Sequence, residues 1–174
     1  MRRICLAVVL SVCLIGSASA QRTLVPLFDH IDIPVNSDHE LTVAQVRKAL
    51  RTAAAIEGWG STVQPDGTLQ LKAVKNFKHP ITLSVSYKAS SYSVRYVESS
   101  NLNFAESPPI SAWPLDAAKA PLSARAAAKQ AEQFKALPDF QYAVQRQGFE
   151  LHPNYEEWIY ELLGSMRRQV NIVE

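Results

Sequence analysis

The chain has 174 residues, with 18 basic and 16 acidic side chains and a formal net charge of +2. Its only cysteines, Cys5 and Cys13, lie in an N-terminal stretch built like an export signal. A chain without them has no disulfide, no thiol nucleophile and no thiolate metal site. Arg2 and Arg3 leave with the same stretch, so 18 basic residues fall to 16 against 16 acids. That balance argues against a nucleic acid as partner, because a phosphate backbone demands a basic surface.

The signal reading rests on three features in sequence. Arg2 and Arg3 supply a positive start, Ile4 to Ile15 an apolar run too short to span a bilayer comfortably, and Ala18-Ser19-Ala20 a small-x-small cleavage pattern. Cleavage between Ala20 and Gln21 is expected, with release to the periplasm and no membrane span afterwards. The alternative is retention as a lipoprotein through Cys13. Leu10 and Ser11 fit that signal, but Val12 stands where a small residue is wanted. Residues 21–174 then have the length of one domain.

From Gln21 to Asn36 the chain is apolar but broken by Pro26 and Pro34. Proline is excluded from central strands, so an extended arm or an edge strand is expected. Leu41 to Gly58 reads as a helix. Thr42 and Gln45 form a capping box, and Val43, Val46, Ala49, Leu50, Ala53 and Ile56 fall on one stripe. Gly58 is the expected stop.

Strands follow. Trp59 to Val63 and Leu69 to Ala73 flank Pro65-Asp66-Gly67, a three-residue hairpin loop that pairs Val63 with Leu69. In the next hairpin Ile81, Leu83, Val85 and Tyr87 alternate with polar residues, and Tyr92, Val94 and Tyr96 continue after a four-residue loop. Tyr87 should face Tyr92, Val85 should face Val94, and Leu83 should face Tyr96. All six then share one face of the sheet. Between Ala105 and Gly148 the sequence changes character, with an Ala-rich stretch after Ser123 that reads as a helix by propensity. A short helix is expected at Asp139 to Arg146. The whole segment 105–148 reads as a helical insertion. The last element is a helix from Asn154, capped by Asn154 and Glu157, with Tyr155, Trp158, Ile159, Leu162, Leu163 and Met166 on its apolar face.

The expected fold is therefore α+β: two layers, an antiparallel meander of about four strands, and two main helices on one face. With that order in hand, "LTVAQVRKAL", "SYKASSYSVRYVESSNLNF" and "HPNYEEWIYEL" resemble a group of small, secreted, uncharacterised proteobacterial proteins. Those proteins run helix, antiparallel meander, Ser/Asn-rich strand end, then a helix opening with His-x-Asn-Tyr-x-x-Trp. Here the pattern is His152, Asn154, Tyr155 and Trp158. The group has only a short connection where this chain carries Ala105 to Gly148. The resemblance implies a compartment and a fold, and no reaction. A looser likeness is to helix-plus-antiparallel-sheet modules of the bacterial envelope, such as outer-membrane assembly lipoproteins and the secreted PepSY domains, and fold alone does not fix function.

The four histidines, His30, His39, His79 and His152, are scattered, without the one-turn spacing of a metal pair. Each is expected at the surface or at an element end. No metal and no cofactor is expected. The candidate ligand site gathers His152 and Asn154 at the start of the last helix with Ser99, Asn101 and Asn103 at the strand end. The structural alternative gives both asparagines to side-chain-to-backbone turns and Asn154 to a cap. The expected function is binding without catalysis, as an accessory protein of the cell envelope. Its partner would be another envelope protein or a peptide, engaged through a sheet edge or the insertion. The alternative is a small polar-ligand binder or a hydrolase centred on His152 and the segment Ser99 to Asn103.

Overall fold

The computed structural model describes residues 24–103, 105–106 and 135–172. The signal, the cleavage site, Cys13 and most of the Ala-rich stretch lie outside the described residues. Among those described, the elements are β1 (Val25–Pro34), α1 (Val43–Ile56), β2 (Gly60–Val63), β3 (Leu69–Lys75), β4 (His79–Tyr87), β5 (Ser91–Ser99), β6 (Ala105–Glu106), a 3-10 helix (Pro138–Tyr142), β7 (Ala143–Leu151) and α2 (Asn154–Asn171). The strands form one antiparallel sheet in the order β2-β3-β4-β5-β1-β7-β6. The fold is α+β as expected, but the sheet has seven strands rather than four. No helix among the described residues is long and apolar enough to cross a membrane.

The meander follows the alternation of its side chains. Tyr87 faces Tyr92, Val85 faces Val94, and Leu83 faces Tyr96, as the four-residue loop requires. Leu69, Leu71 and Ala73 of β3 point the same way, and all are buried while Gln70, Lys72 and Val74 are not. The first hairpin closes with Val63 opposite Leu69, and Gly67 takes a φ of 86° that suits glycine. Both helices contribute to the same core. Val46, Ala49, Leu50 and Ala53 of α1 and Tyr155, Ile159, Leu162 and Met166 of α2 join the inward residues of β3, β4 and β5. The Thr42–Gln45 capping box is present in both directions, and Gly58 ends the helix at φ 74°. Val43 and Ile56, expected on the buried stripe, are 49% and 59% exposed. They occupy the terminal turns, where the surface beneath the helix ends.

Three expectations are corrected in the outer half of the sheet and at the start of α2. First, β1 is no edge strand. It lies between β5 and β7. Proline is tolerated there because Pro26 and Pro34 sit near the two ends of the strand, and the ladder is already irregular beside Pro26. Second, the segment 105–148 is not wholly an insertion. Ala105–Glu106 pairs with β7, and Ala143 to Gln145, expected in a short helix, pair with β1. The 3-10 helix occupies only Pro138–Tyr142. Third, Asn154 does not cap the last helix. It is the helix's first residue, and Pro153 precedes it without a side-chain capping bond.

Candidate functional site

The expected site residues meet at one corner of the domain. Beyond β5 the chain turns back over the β3–β4 hairpin. The Ser100 amide donates to the Pro80 carbonyl at 3.0 Å, and Asn101 Nδ2 donates to the Lys78 carbonyl at 2.8 Å. Asn101 and Asn103 both take positive φ, 61° and 52°, a conformation asparagine tolerates better than most residues. The His152 amide then donates to the Leu102 carbonyl at 2.9 Å, which brings the start of α2 against this loop. Ser99 Oγ lies 3.0 Å from the Tyr96 hydroxyl. The corner thus unites His152, Asn154, Ser99, Asn101 and Asn103, and for Asn101 the side chain is spent on holding the turn.

His152 is spent in part as well. Its Nδ1 accepts the Asn154 amide at 3.3 Å, so the imidazole satisfies a donor that the helix leaves orphaned. An accepting Nδ1 puts the proton of the neutral ring on Nε2. The ring stacks on His79 at 6.5 Å between centroids, and His79 in turn lies 5.8 Å from the Trp158 ring. Among the described residues, no group of three or more His, Cys, Asp or Glu side chains is placed to hold a metal ion.

A second polar cluster, absent from the sequence reading, lies between β1, β7, the 3-10 helix and α2. The Arg146 guanidinium grips Asp29 at 2.8 Å and 3.1 Å, and donates at 3.0 Å to the Tyr96 carbonyl. Asp29 Oδ1 also accepts the Tyr96 amide at 2.9 Å. The carboxylate therefore stands in for a backbone acceptor just past His30–Val94, the last pair of the β1–β5 ladder at that end. On the other side of that pair the register slips between His30 and Ile33, and there Asp32 takes φ 53° and its amide donates to Ser93 Oγ at 2.9 Å.

Two ionisable groups are sealed beside this pair. His30, expected at the surface or an element end, is only 1% exposed, its ring edge-on to Tyr160 at 5.2 Å. Neither nitrogen has a hydrogen bond of good geometry. Burial lowers its pKa from 6.5 to about 4, partly opposed by the Asp139 carbonyl and the Asp29 charge. Glu156 is also 1% exposed, and neither carboxyl oxygen has a well-placed donor. Burial raises its pKa from 4.5 to about 8, against a loosely placed Phe28 amide. At neutral pH the cluster therefore holds an uncharged imidazole and an uncharged carboxylic acid. Asp139 is raised by burial too, opposed by Arg167 at 3.0 Å. Burial likewise keeps the phenols of Tyr92, Tyr155 and Tyr160 protonated.

A signal for this cluster existed in the sequence. Glu156 stands three residues before Ile159 and seven before Leu163, so it borders the apolar stripe of α2. Asp29, His30 and Asp32 interrupt an otherwise apolar strand. No family model, no curated protein and no solved structure matches this chain.

Proposed function

We propose that the chain is an exported, non-enzymatic binding protein of the cell envelope, and that it takes up an extended segment of another envelope protein along the outer edge of β2. One observation carries this reading. Among the described residues β2 is the terminal strand of the sheet, and nothing pairs with its outer side. The Gln64 amide donates to the Thr68 carbonyl at 2.8 Å, which sets the phase of the ladder. By alternation the amides of Ser61 and Val63 point away from β3. The strand has no charge, proline or bulge, the usual devices that stop an edge from recruiting a partner. Strand addition to such an edge is a general mode of peptide recognition.

Val63→Pro tests the edge. It removes an outward amide and leaves the β2–β3 ladder its own donors. A partner that co-purifies from the envelope fraction with the native protein and with Val63→Thr should be lost with a folded Val63→Pro. Absence of any partner on the native protein overturns the reading.

The stacked His79 and His152 favour a second reading, a small polar-ligand binder or hydrolase at the Ser99 to Asn103 corner. His152→Asn separates the two. Asparagine can still accept the amide at the start of α2, but it cannot transfer a proton as imidazole does. A folded His152→Asn protein that fails to complement a deletion strain would favour the second reading.

A further inference from the structure

We infer that the segment recognised at β2 is acidic at alternate positions, read by the cationic outer face of α1; this rests on the binding reading above. The sequence of α1 contains no acidic residue, and its solvent side carries Arg47, Lys48 and Arg51. Among the described residues none of the three is ion-paired. Arg51 donates from Nε to Ser61 Oγ at 3.2 Å, which ties this face to β2. Between the helix and the strand runs an open groove. Ala44 and Ala55 line it as small residues, and the three cations, Thr52 and Ser61 line it as polar ones. Ser61 pairs with Leu71, whose side chain is in the core, so Ser61 stands on the helix side of the sheet.

These placements fix a pattern. A strand added to β2 sends every second side chain toward α1 and the others away. Only the helix-side set meets the guanidinium and ammonium groups. Arg47 and Arg51 are one turn apart, and Lys48 stands beside them on the same exposed side. Carboxylates at alternate positions match this row, and guanidinium forks suit carboxylates better than point charges do. Uniform acidity is not required, because the other set of side chains faces solvent.

The test uses the purified protein and three capped peptides of equal length: a Glu-Thr repeat, a Lys-Thr repeat, and a peptide with the glutamates gathered in one block. Titration calorimetry at low and physiological salt should show binding of the Glu-Thr repeat, weaker binding of the block peptide, and none of the Lys-Thr repeat. Binding should weaken with salt. Arg47→Ala with Arg51→Ala should weaken it about tenfold, with unchanged circular dichroism. Val63→Pro should abolish it. Equal affinity for acidic and basic repeats overturns the inference. So does binding to phosphatidylglycerol vesicles without binding to the Glu-Thr repeat, which would make the cationic face a lipid contact. If the envelope partner co-purifies equally with the native protein and with Arg47→Glu/Lys48→Glu/Arg51→Glu, the binding reading stands and the acidic specificity falls. If it co-purifies with neither, the binding reading itself falls.

Discussion

The β3–β4–β5 meander and the β1–β7–α2 seam belong to one sheet and one core, yet they are held differently. The meander is closed by backbone ladders and by side chains that alternate between core and solvent. Its β4–β5 register shifts once, between Thr82 and Leu83. The seam has two register shifts along β1 alone. It is closed by Asp29 and Arg146, and it buries His30 and Glu156 uncharged. Where two-residue periodicity fixes pairing, apolar burial suffices. Where pairing slips, charged and polar side chains take over the backbone's work, and stability becomes sensitive to pH and to single atoms.

The largest expected effect lies in the meander. Val85→Asp should destabilise the domain by more than about 4 kcal/mol, because a buried carboxylate has no partner there. Ser84→Asp, one residue away on the opposite face, should change stability by less than about 0.5 kcal/mol. Urea titration of both variants measures the contrast. Similar losses would mean that the meander is not governed by its alternation.

Asp29→Ala carries the comparison into the seam. It orphans the Tyr96 amide and leaves the Arg146 guanidinium only the Tyr96 carbonyl, for an expected loss of about 3 kcal/mol. The same titration measures it. A loss under about 1 kcal/mol would show that this end of the β1–β5 ladder holds without its side-chain acceptor.

Glu156→Gln should work in the other direction. The glutamate must take up a proton to be buried, so its contribution is fully present below pH 4.5 and lost as pH rises toward about 8. His30 has the opposite slope, with its contribution present above pH 6.5 and lost as pH falls toward about 4. Between about pH 4.5 and 6.5 the two slopes cancel; above that only the glutamate's remains. Glu156→Gln should therefore stabilise the protein by roughly 2–3 kcal/mol at pH 7. It should also flatten the decline in stability from pH 6.5 to 8. A native protein whose stability is already flat across that range would refute the buried neutral acid.

The smallest effect concerns the one strained turn of the meander. Asn76 and Phe77 take φ of 50° and 58° between β3 and β4, and Phe77 is fully exposed. They are the central residues of the turn that the Lys78 amide closes on the Lys75 carbonyl, and positive φ at both positions favours glycine second. Phe77→Gly should therefore raise stability by about 1 kcal/mol, read as a shift in melting temperature. No gain would mean that the Phe77 side chain holds the hairpin tip in some other way.

The meander was legible in the sequence because its information is local. Loop length and alternation specify the partners of Leu83, Val85 and Tyr87 within a few residues. The face of α2 was legible for the same reason. The central place of β1 was not, since Asp29, His30 and Asp32 break the alternation and two prolines suggest an edge. Nor was β7, where Gln145, Arg146 and Gln147 resemble a polar helix face. The corner at His152 was legible as a set of residues, but its hydrogen bonds were not. The burial of His30 and Glu156 depends on pairing between distant parts of the chain, which no local pattern encodes.

The position of β1 also sets an order of assembly. Asp29 and Arg146 are separated by 117 positions in sequence. Contacts of such span form slowly, because a long loop must close before anything rewards its closure. On a chain made or translocated from the N-terminus, β1 emerges first yet finds its second neighbour only after β7 arrives. The meander, α1 and the β1–β5 ladder can meanwhile form, leaving the β7 side of β1 open. The interval before β7 docks is then the time when this chain offers its widest unpaired strand edge to other chains.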